Sequence, residues 1–313
     1  SLTKWKIYCN SLRLRLLTRV SDVASMSARA TSEIAAILSN PTSYPVASYN
    51  TDNIQINIKD LNTGLNASGF QTGLEDWNGN IANKNMIDHM NTNVDPRLRI
   101  LFEPGAKATA GVYTGLDQMA INSDQDKLIA GGTIAIYNRS TLSRNRFFPG
   151  VLINAAEVSF LKAEAYVKSG NATAAQAAYE TGVRQSAEFY FNVRKLSGDN
   201  TAGTAAALTT AESDAYLAKP AISWTAATTT AAKWTLIAYQ KWIHFNVVQS
   251  LENWAETRRL KLVKLTLKDD ATAQAKTPTR WFYPSGEGVY NVTNYNAVKA
   301  NDNLSTKLFW DVR

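Results

Sequence analysis

Apolar residues return every three or four positions in four stretches of the chain, the spacing of a helix that buries one face. From Trp5 the stripe runs through Tyr8, Leu12, Leu16, Val20 and Val23 and predicts a first helix over 4–24. Ile153, Ala156, Phe160, Ala163 and Val167 predict a second at 153–169, Gly170 and Asn171 break it, and a third follows at 173–191. A fourth runs over 231–248 through Trp234, Ala238 and Phe245. Matched stripes must be buried against something, so these four helices are expected to share one core.

Shorter elements fill in around them. A helix is expected from Thr31, capped by Ser32 and ended by Asn40 and Pro41, with others near Ile81 to Asn91, near Glu212 to Leu217, and around Glu252 to Arg259. The stretches 41–80, 101–150 and 199–232 and the tail 277–313 read as long loops, with one short strand at Ile54, Ile56 and Ile58. Loops this long in a compact protein are commonly functional. Within 153–191, Ala163, Tyr166, Ala175 and Tyr179 match a tetratricopeptide pattern, and Gly182 adds a further small position that permits close helix approach. The expected fold is mostly α: one body over 1–313 containing this helix pair, with long irregular loops.

At 313 residues and 45% apolar, the chain has material for a sizeable core. A net charge of +7 permits an acidic partner, yet the cations are scattered. Arg13, Arg15 and Arg19 lie on the first helix, and Arg139, Arg144 and Arg146 in a loop. A solvated basic surface is expected, with no nucleic-acid partner. The single cysteine, Cys9, excludes an internal disulfide and a thiolate cluster and is expected to pack as a small apolar residue. Lys6, Ile7 and Tyr8 before it are unlike a lipid-attachment site, and no stretch has the 18 or so consecutive apolar residues of a membrane helix.

Enzyme signatures are missing. His89 and His244 stand in no metal or relay spacing and read as packing or surface residues. Glu157 and Glu164, seven residues apart on one helix, are separated by about 10.5 Å, beyond the roughly 6.5–9.5 Å of an inverting glycosidase. They read as structural, with Glu164 pairing to Lys168 one turn on. Asn122, Asp124 and Asp126 alternate like calcium ligands, but Lys127 and Thr133 occupy the positions an EF-hand gives to glycine and glutamate, which leaves only an isolated loop calcium open. No phosphate-binding glycine loop is present, and no cofactor is expected.

The remaining chemistry is aromatic. Trp5, Tyr166, Tyr179, Trp234 and Trp242 lie on helical faces and read as core. Trp77, Trp224, Tyr113, Tyr49 and Tyr44 sit in polar loops, where an exposed ring among amides and carboxylates suits the apolar face and hydroxyl edge of a sugar. Trp77 is the first candidate, since Gly73 and Gly79 free its loop and Glu75, Asp76 and Asn78 can bond hydroxyls.

Four motifs in this order resemble the SusD/RagB family of outer-membrane nutrient-binding lipoproteins. They are Trp5 with Asn10-Ser11-Leu12-Arg13-Leu14-Arg15; Asp95-Pro96-Arg97-Leu98; Phe148-Pro149-Gly150 with Ala156-Glu157-Val158, Phe160 and Ala163-Glu164-Ala165; and Gln240-Lys241-Trp242 with Glu252, Trp254, Glu256, Arg258 and Arg259. Tyr283-Pro284, Asn294-Tyr295 and Trp310-Asp311 resemble the family's ending. The resemblance implies a non-catalytic protein at the surface of a Gram-negative outer membrane, which holds oligosaccharide or polysaccharide for import through a SusC-type TonB-dependent transporter. It also implies that this chain corresponds to the C-terminal two thirds, without the lipid-anchored N-terminus. Arg258 and Arg259 are expected to ion-pair with Glu256 at a helix end. The competing reading is a protein-interaction scaffold whose tetratricopeptide-like helices bind a peptide.

Overall fold

The computed structural model describes residues 1–313 apart from 62–63, 65, 77–78 and 266–276. The chain opens with two helices, α1 (Leu2–Val20) and α2 (Ala24–Ser39), followed by the short strand β1 (Ile54–Ile56). Then come α3 (Ser68–Glu75), α4 (Lys84–Asn93), α5 (Leu98–Leu101), β2 (Phe102–Glu103), α6 (Asn122–Gly131), β3 (Ile136–Tyr137) and β4 (Gly150–Ile153). The main helices are α7 (Ala155–Lys168), α8 (Ala172–Leu196), α9 (Thr210–Leu217), α10 (Thr230–Phe245) and α11 (Ser250–Leu260), before two short ones, α12 (Glu287–Tyr290) and α13 (Val292–Val298). The strands form two small antiparallel ribbons, β1 with β4 and β2 with β3. The fold is mostly helical, as the stripes predict.

The main helices begin where the sequence supplies caps. Asn154 accepts from Glu157 N at 2.9 Å to start α7, and Asn171 accepts from Ala174 N at 3.1 Å to start α8. Between them Gly170 adopts φ +76, the left-handed turn that glycine makes at least cost. Thr209 and Glu212 form a reciprocal capping box on α9.

Helix α7 is the hub, packing against α1, α8 and α10. Its Ala156, Phe160 and Ala163 meet Ala175, Tyr179 and Val183 of α8 and Ile237 of α10. Its Val158 and Leu161 meet Leu14 of α1 with Ile34 and Ile37 of α2. Small residues bring α7 and α8 close: a Cβ on Gly182 would lie 2.6 Å from the Phe160 ring. A third apolar cluster joins α4, α5, the far half of α8 and α10 through Met86, Ile100, Tyr190 and Ile243. The four striped helices thus connect through α7 rather than around a single core.

Several expectations are corrected. On α1 the buried line is Asn10, Ser11, Leu14 and Thr18, whereas Trp5 and Leu16 are exposed. The line is polar because it serves the chain that crosses it: Asn10 Nδ2 donates to Pro45 O at 3.2 Å, and Ala47 N donates to Ser11 Oγ at 3.0 Å. Cys9 is exposed instead of packed. Helix α2 starts seven residues before Thr31, and α3 and α6 occupy stretches that read as loop. Because Asn122, Asp124 and Asp126 lie on α6, their alternation points side chains around a helix, not into a calcium loop.

Charges that read as a solvated surface are paired across the fold. Arg15 holds both oxygens of Glu157, at 2.5 and 2.7 Å, and Arg19 reaches Glu252 at 2.7 Å. Lys168 pairs with Asp22 at 2.6 Å, leaving Glu164 to Lys241 and Arg259. Arg259 pairs with Glu256 as expected, but Arg258 does not: its guanidinium lies 3.6 Å from the Trp254 ring centroid. Among the described residues no helix is long and apolar enough to cross a membrane.

Candidate functional site

The aromatic residues expected at the ligand surface fall in different settings. Trp77 and Asn78 lie outside the described residues. Asp76, the C-cap of α3, is exposed. Glu75 before it is not free to meet a ligand: Arg144 Nη2 donates to it at 2.8 Å and Ser143 Oγ at 2.5 Å. The Arg144 bond, opposed by partial burial and helped by Ser143, holds this carboxyl below its ordinary range. This clamp fixes the end of α3 to the 139–146 loop.

Trp224 does not present a ring to solvent. It is 4% exposed, its centroid 5.2 Å from that of Tyr179 in the α7–α8 cluster, with the Lys233 ammonium 5.4 Å away. The Thr- and Ala-rich stretch around it folds back onto α8, where Tyr179 Oη donates to Ile222 O at 2.8 Å. Tyr113 is half-buried against the α4–α5 cluster, and burial raises its hydroxyl pKa. Tyr44 is half-buried under Arg13, whose guanidinium lies 5.6 Å from the ring centroid. Tyr49 alone of these four keeps an open ring, 71% exposed.

Directly after Tyr49 the chain lines a recess of about 230 Å³ between the 50–60 segment, Phe147 and the far half of α8. Asn50, Asn53, Gln55 and Asn57 come from one side and Asn192 from the other. The segment is firmly held. Asp52 Oδ2 accepts from Ser48 N and Tyr49 N, both at 3.0 Å, Asn53 Oδ1 accepts from Ala155 N at 2.9 Å, and Gln185 Nε2 donates to Ser48 O at 2.7 Å. The 50–60 wall is therefore anchored to the start of α7 and the middle of α8.

The polarity of the recess follows from which amide atoms are already used. Asn50 Nδ2 donates to Gln185 O at 3.1 Å and to Glu188 Oε2 at 3.2 Å, and Gln55 Nε2 donates to Asn57 Oδ1 at 2.7 Å. Those bonds fix both amide orientations. Asn50 Oδ1 and Gln55 Oε1 are left buried and without a partner among the described residues. A buried unpaired acceptor costs about 1–3 kcal/mol, which a donated hydroxyl hydrogen bond offsets. Phe147 adds a half-buried ring, with the Lys59 ammonium 5.9 Å from its centroid. At this size, below the roughly 300–1,000 Å³ of drug-sized pockets, the recess suits a single ring.

Sequence reasoning singled out Tyr49 but not Asn50, Gln55, Asn57 or Phe147. The signal was present in the crowding of amides over 50–57, but these amides become one wall only through the β1–β4 pairing and the approach of α8. The two histidines carry no such chemistry. His244 is buried between Ser186 and Asn154, at 3.0 and 2.8 Å, and His89 stacks on Tyr239 at 4.8 Å. Among the described residues no group of three or more His, Cys, Asp or Glu side chains is arranged to hold a metal.

Known proteins place this architecture. A solved chitin-binding protein is similar over 100% of this chain and 66% of its own, with 26% identity and a TM-score of 0.76. Two SusD homologues from Bacteroides fragilis match 99% and 100% of this chain and 67% and 68% of theirs, at 24% and 21% identity and TM-scores of 0.78 and 0.82. The chain thus spans about two thirds of the length of these structures. A search of curated proteins gives no match. Residues 1–284 match the model of the SusD-like family described as "Starch-binding associating with outer membrane". The chain belongs to the SusD-like family, within the SusD/RagB group.

Proposed function

We propose that this protein captures oligosaccharide at the outer surface of the outer membrane, without catalysis, and hands it to a partner TonB-dependent transporter of the SusC type. A lipid anchor on a segment ahead of Ser1 would hold it there. The reading is supported by the family's description and by the chitin-binding protein that shares this fold over the whole chain. The observation that carries it is the amide-lined recess beside Tyr49. Its leftover acceptors and aromatic wall match the donor edge and apolar face of a sugar. Asp76, Trp77, Asn78 and Tyr113 remain proposed contacts for further sugar units.

Isothermal titration with maltohexaose and chitohexaose tests the proposal. At least one is expected to bind, with Tyr49→Ala and Gln55→Ala each weakening it several-fold and leaving thermal melting unchanged. Trp77→Ala in the same series tests the neighbouring loop. Binding by neither sugar, together with capture of peptides from a random library, would replace glycan by peptide as the ligand.

A further inference from the structure

A second aromatic surface lies away from the recess, where the chain after 277 packs on α11. Trp281 stacks on Trp254 with ring centroids 5.4 Å apart and planes 26° from parallel. Behind Trp254 comes the Arg258 guanidinium, which also lies 4.9 Å from the centroid of Trp310. Arg19, 5.3 Å from the same Trp310 centroid, ends the series and is itself anchored by Glu252 and Glu256. Five planar groups thus lead from a buried ion pair to Trp281, which is 64% exposed. A ring supported in this way keeps its position while its outer face stays in water, so a partner that stacks on it has little side-chain entropy to overcome.

Polar groups stand around Trp254, the ring on which Trp281 stacks. A groove of about 500 Å³ is lined by Trp254, Asn253, Thr257, Arg258 and Asp311, among others. Asn253 Nδ2 is used, donating to Trp242 O at 3.4 Å and Asn246 O at 3.3 Å, which leaves Oδ1 without a partner among the described residues. Asp311 Oδ1 takes Lys261 Nζ at 2.6 Å, and Oδ2 is likewise unpartnered. The groove thus sets Asp311 and Asn253 as acceptors and Arg258 and Lys261 as donors beside the Trp254 ring. A ligand that fits such a mixed rim has one C–H face and O–H groups at its edge, which both donate and accept.

We propose that Trp281 and this groove form a second platform for a neutral sugar, separate from the recess beside Tyr49, so that one protein holds a polysaccharide at two places. The inference rests on the glycan-capture reading. With two sites on one polymer, the second contact becomes intramolecular and raises the avidity for long chains more than for short ones.

The test uses maltohexaose, chitohexaose, soluble starch and glycol chitin with the parent, Trp281→Ala and Trp281→Phe proteins, in titration and in affinity electrophoresis. Trp281 is exposed, so both variants are expected to melt like the parent. Trp281→Ala is expected to weaken retention by the bound polymer about tenfold and to affect the hexaose much less. Trp281→Phe, which keeps a stacking face, is expected to recover most of the loss. In a Tyr49→Ala background the Trp281→Ala effect should persist. Polymer binding unchanged by Trp281→Ala overturns the platform and leaves glycan capture standing. No binding of any of the four sugars by the parent overturns both.

Discussion

Arg259 donates to both carboxylate oxygens of Glu164, at 2.9 and 2.7 Å, although the two residues are 95 positions apart. Both side chains are buried, and Lys241 and Glu256 complete the cluster with 1% and 7% of their side chains exposed. Burial alone would raise the pKa of Glu256, but Arg259 and Lys241 outweigh it and hold this carboxyl well below its ordinary value. Removing one partner from a buried pair strands the other, at about 3–5 kcal/mol. Arg259→Leu is therefore expected to destabilise by that amount in urea unfolding. The double variant Arg259→Leu with Glu164→Leu leaves Lys241 facing Glu256 in balance, and is expected to recover a large part of the loss. A double variant as unstable as the sum of its parts would contradict this balance.

The second expectation concerns acid. His244 Nε2 donates to Asn154 Oδ1 at 2.8 Å, since that oxygen also accepts from Glu157 N, and Nδ1 accepts from Ser186, whose oxygen takes a bond from Arg97. Burial, with Arg97 adding to it, pushes the imidazole down to about 3 from its usual 6.5. A base whose folded pKa is depressed stays neutral in the native state while the unfolded chain takes up a proton. Its contribution is thus complete above pH 6.5 and declines as pH falls from 6.5 towards 3, by at most about 1.4 kcal/mol per unit. Unfolding free energies measured from pH 8 to pH 5 should show this slope, and His244→Gln should flatten it.

Helix approach gives the third. A Cβ on Gly182 meets the buried Phe160 ring at 2.6 Å, whereas one on Gly198 meets nothing within 4 Å. Gly182→Val is expected to cost about 1–3 kcal/mol or more by overpacking. Gly198→Ala should change the melting temperature little, and equal effects of the two would refute the close α7–α8 approach.

A fourth comes from the end of α4. Val94 adopts φ 53 and ψ 48 there, a left-handed conformation that costs an L residue roughly 1–2 kcal/mol and is worse for a β-branched one. The side chain is largely exposed, so its removal forfeits little burial. Val94→Gly is expected to raise the melting temperature by a few degrees, and a fall in a thermal scan would show that Val94 makes contacts that outweigh the strain.

Much of this architecture can be read from local pattern. The α7–α8 pair carries its caps, its break and its small-against-large positions within about forty residues, and helical spacing alone locates them. What spacing cannot supply is the partner across the fold. Glu164 and Lys168 stand one turn apart, yet the lysine turns to Asp22 and the glutamate to α10 and α11. Asn10 and Ser11 interrupt an apolar stripe and are nonetheless buried, because the chain crossing at 45–47 needs hydrogen bonds. The same limit governs the site. Loop aromatics are visible in the sequence, but whether a ring faces water depends on packing, which buries Trp224 and leaves Tyr49 and Trp281 open.

The ion pairs that tie the first helix down set an order on assembly during synthesis. Arg19 of α1 finds Glu252 only 233 positions further along. At the usual pace of translation, about 5–20 residues per second, roughly ten to fifty seconds separate the emergence of the two. Through that interval Arg19 lacks this partner, whereas Arg15 can already meet Glu157, 142 positions on. The α7–α8 hairpin, whose two helices meet each other through local contacts, is free to form while the ribosome is still working. The pairing of α1 with α11 therefore follows that of α1 with α7, so the first helix is tied down in two steps set by the order of synthesis.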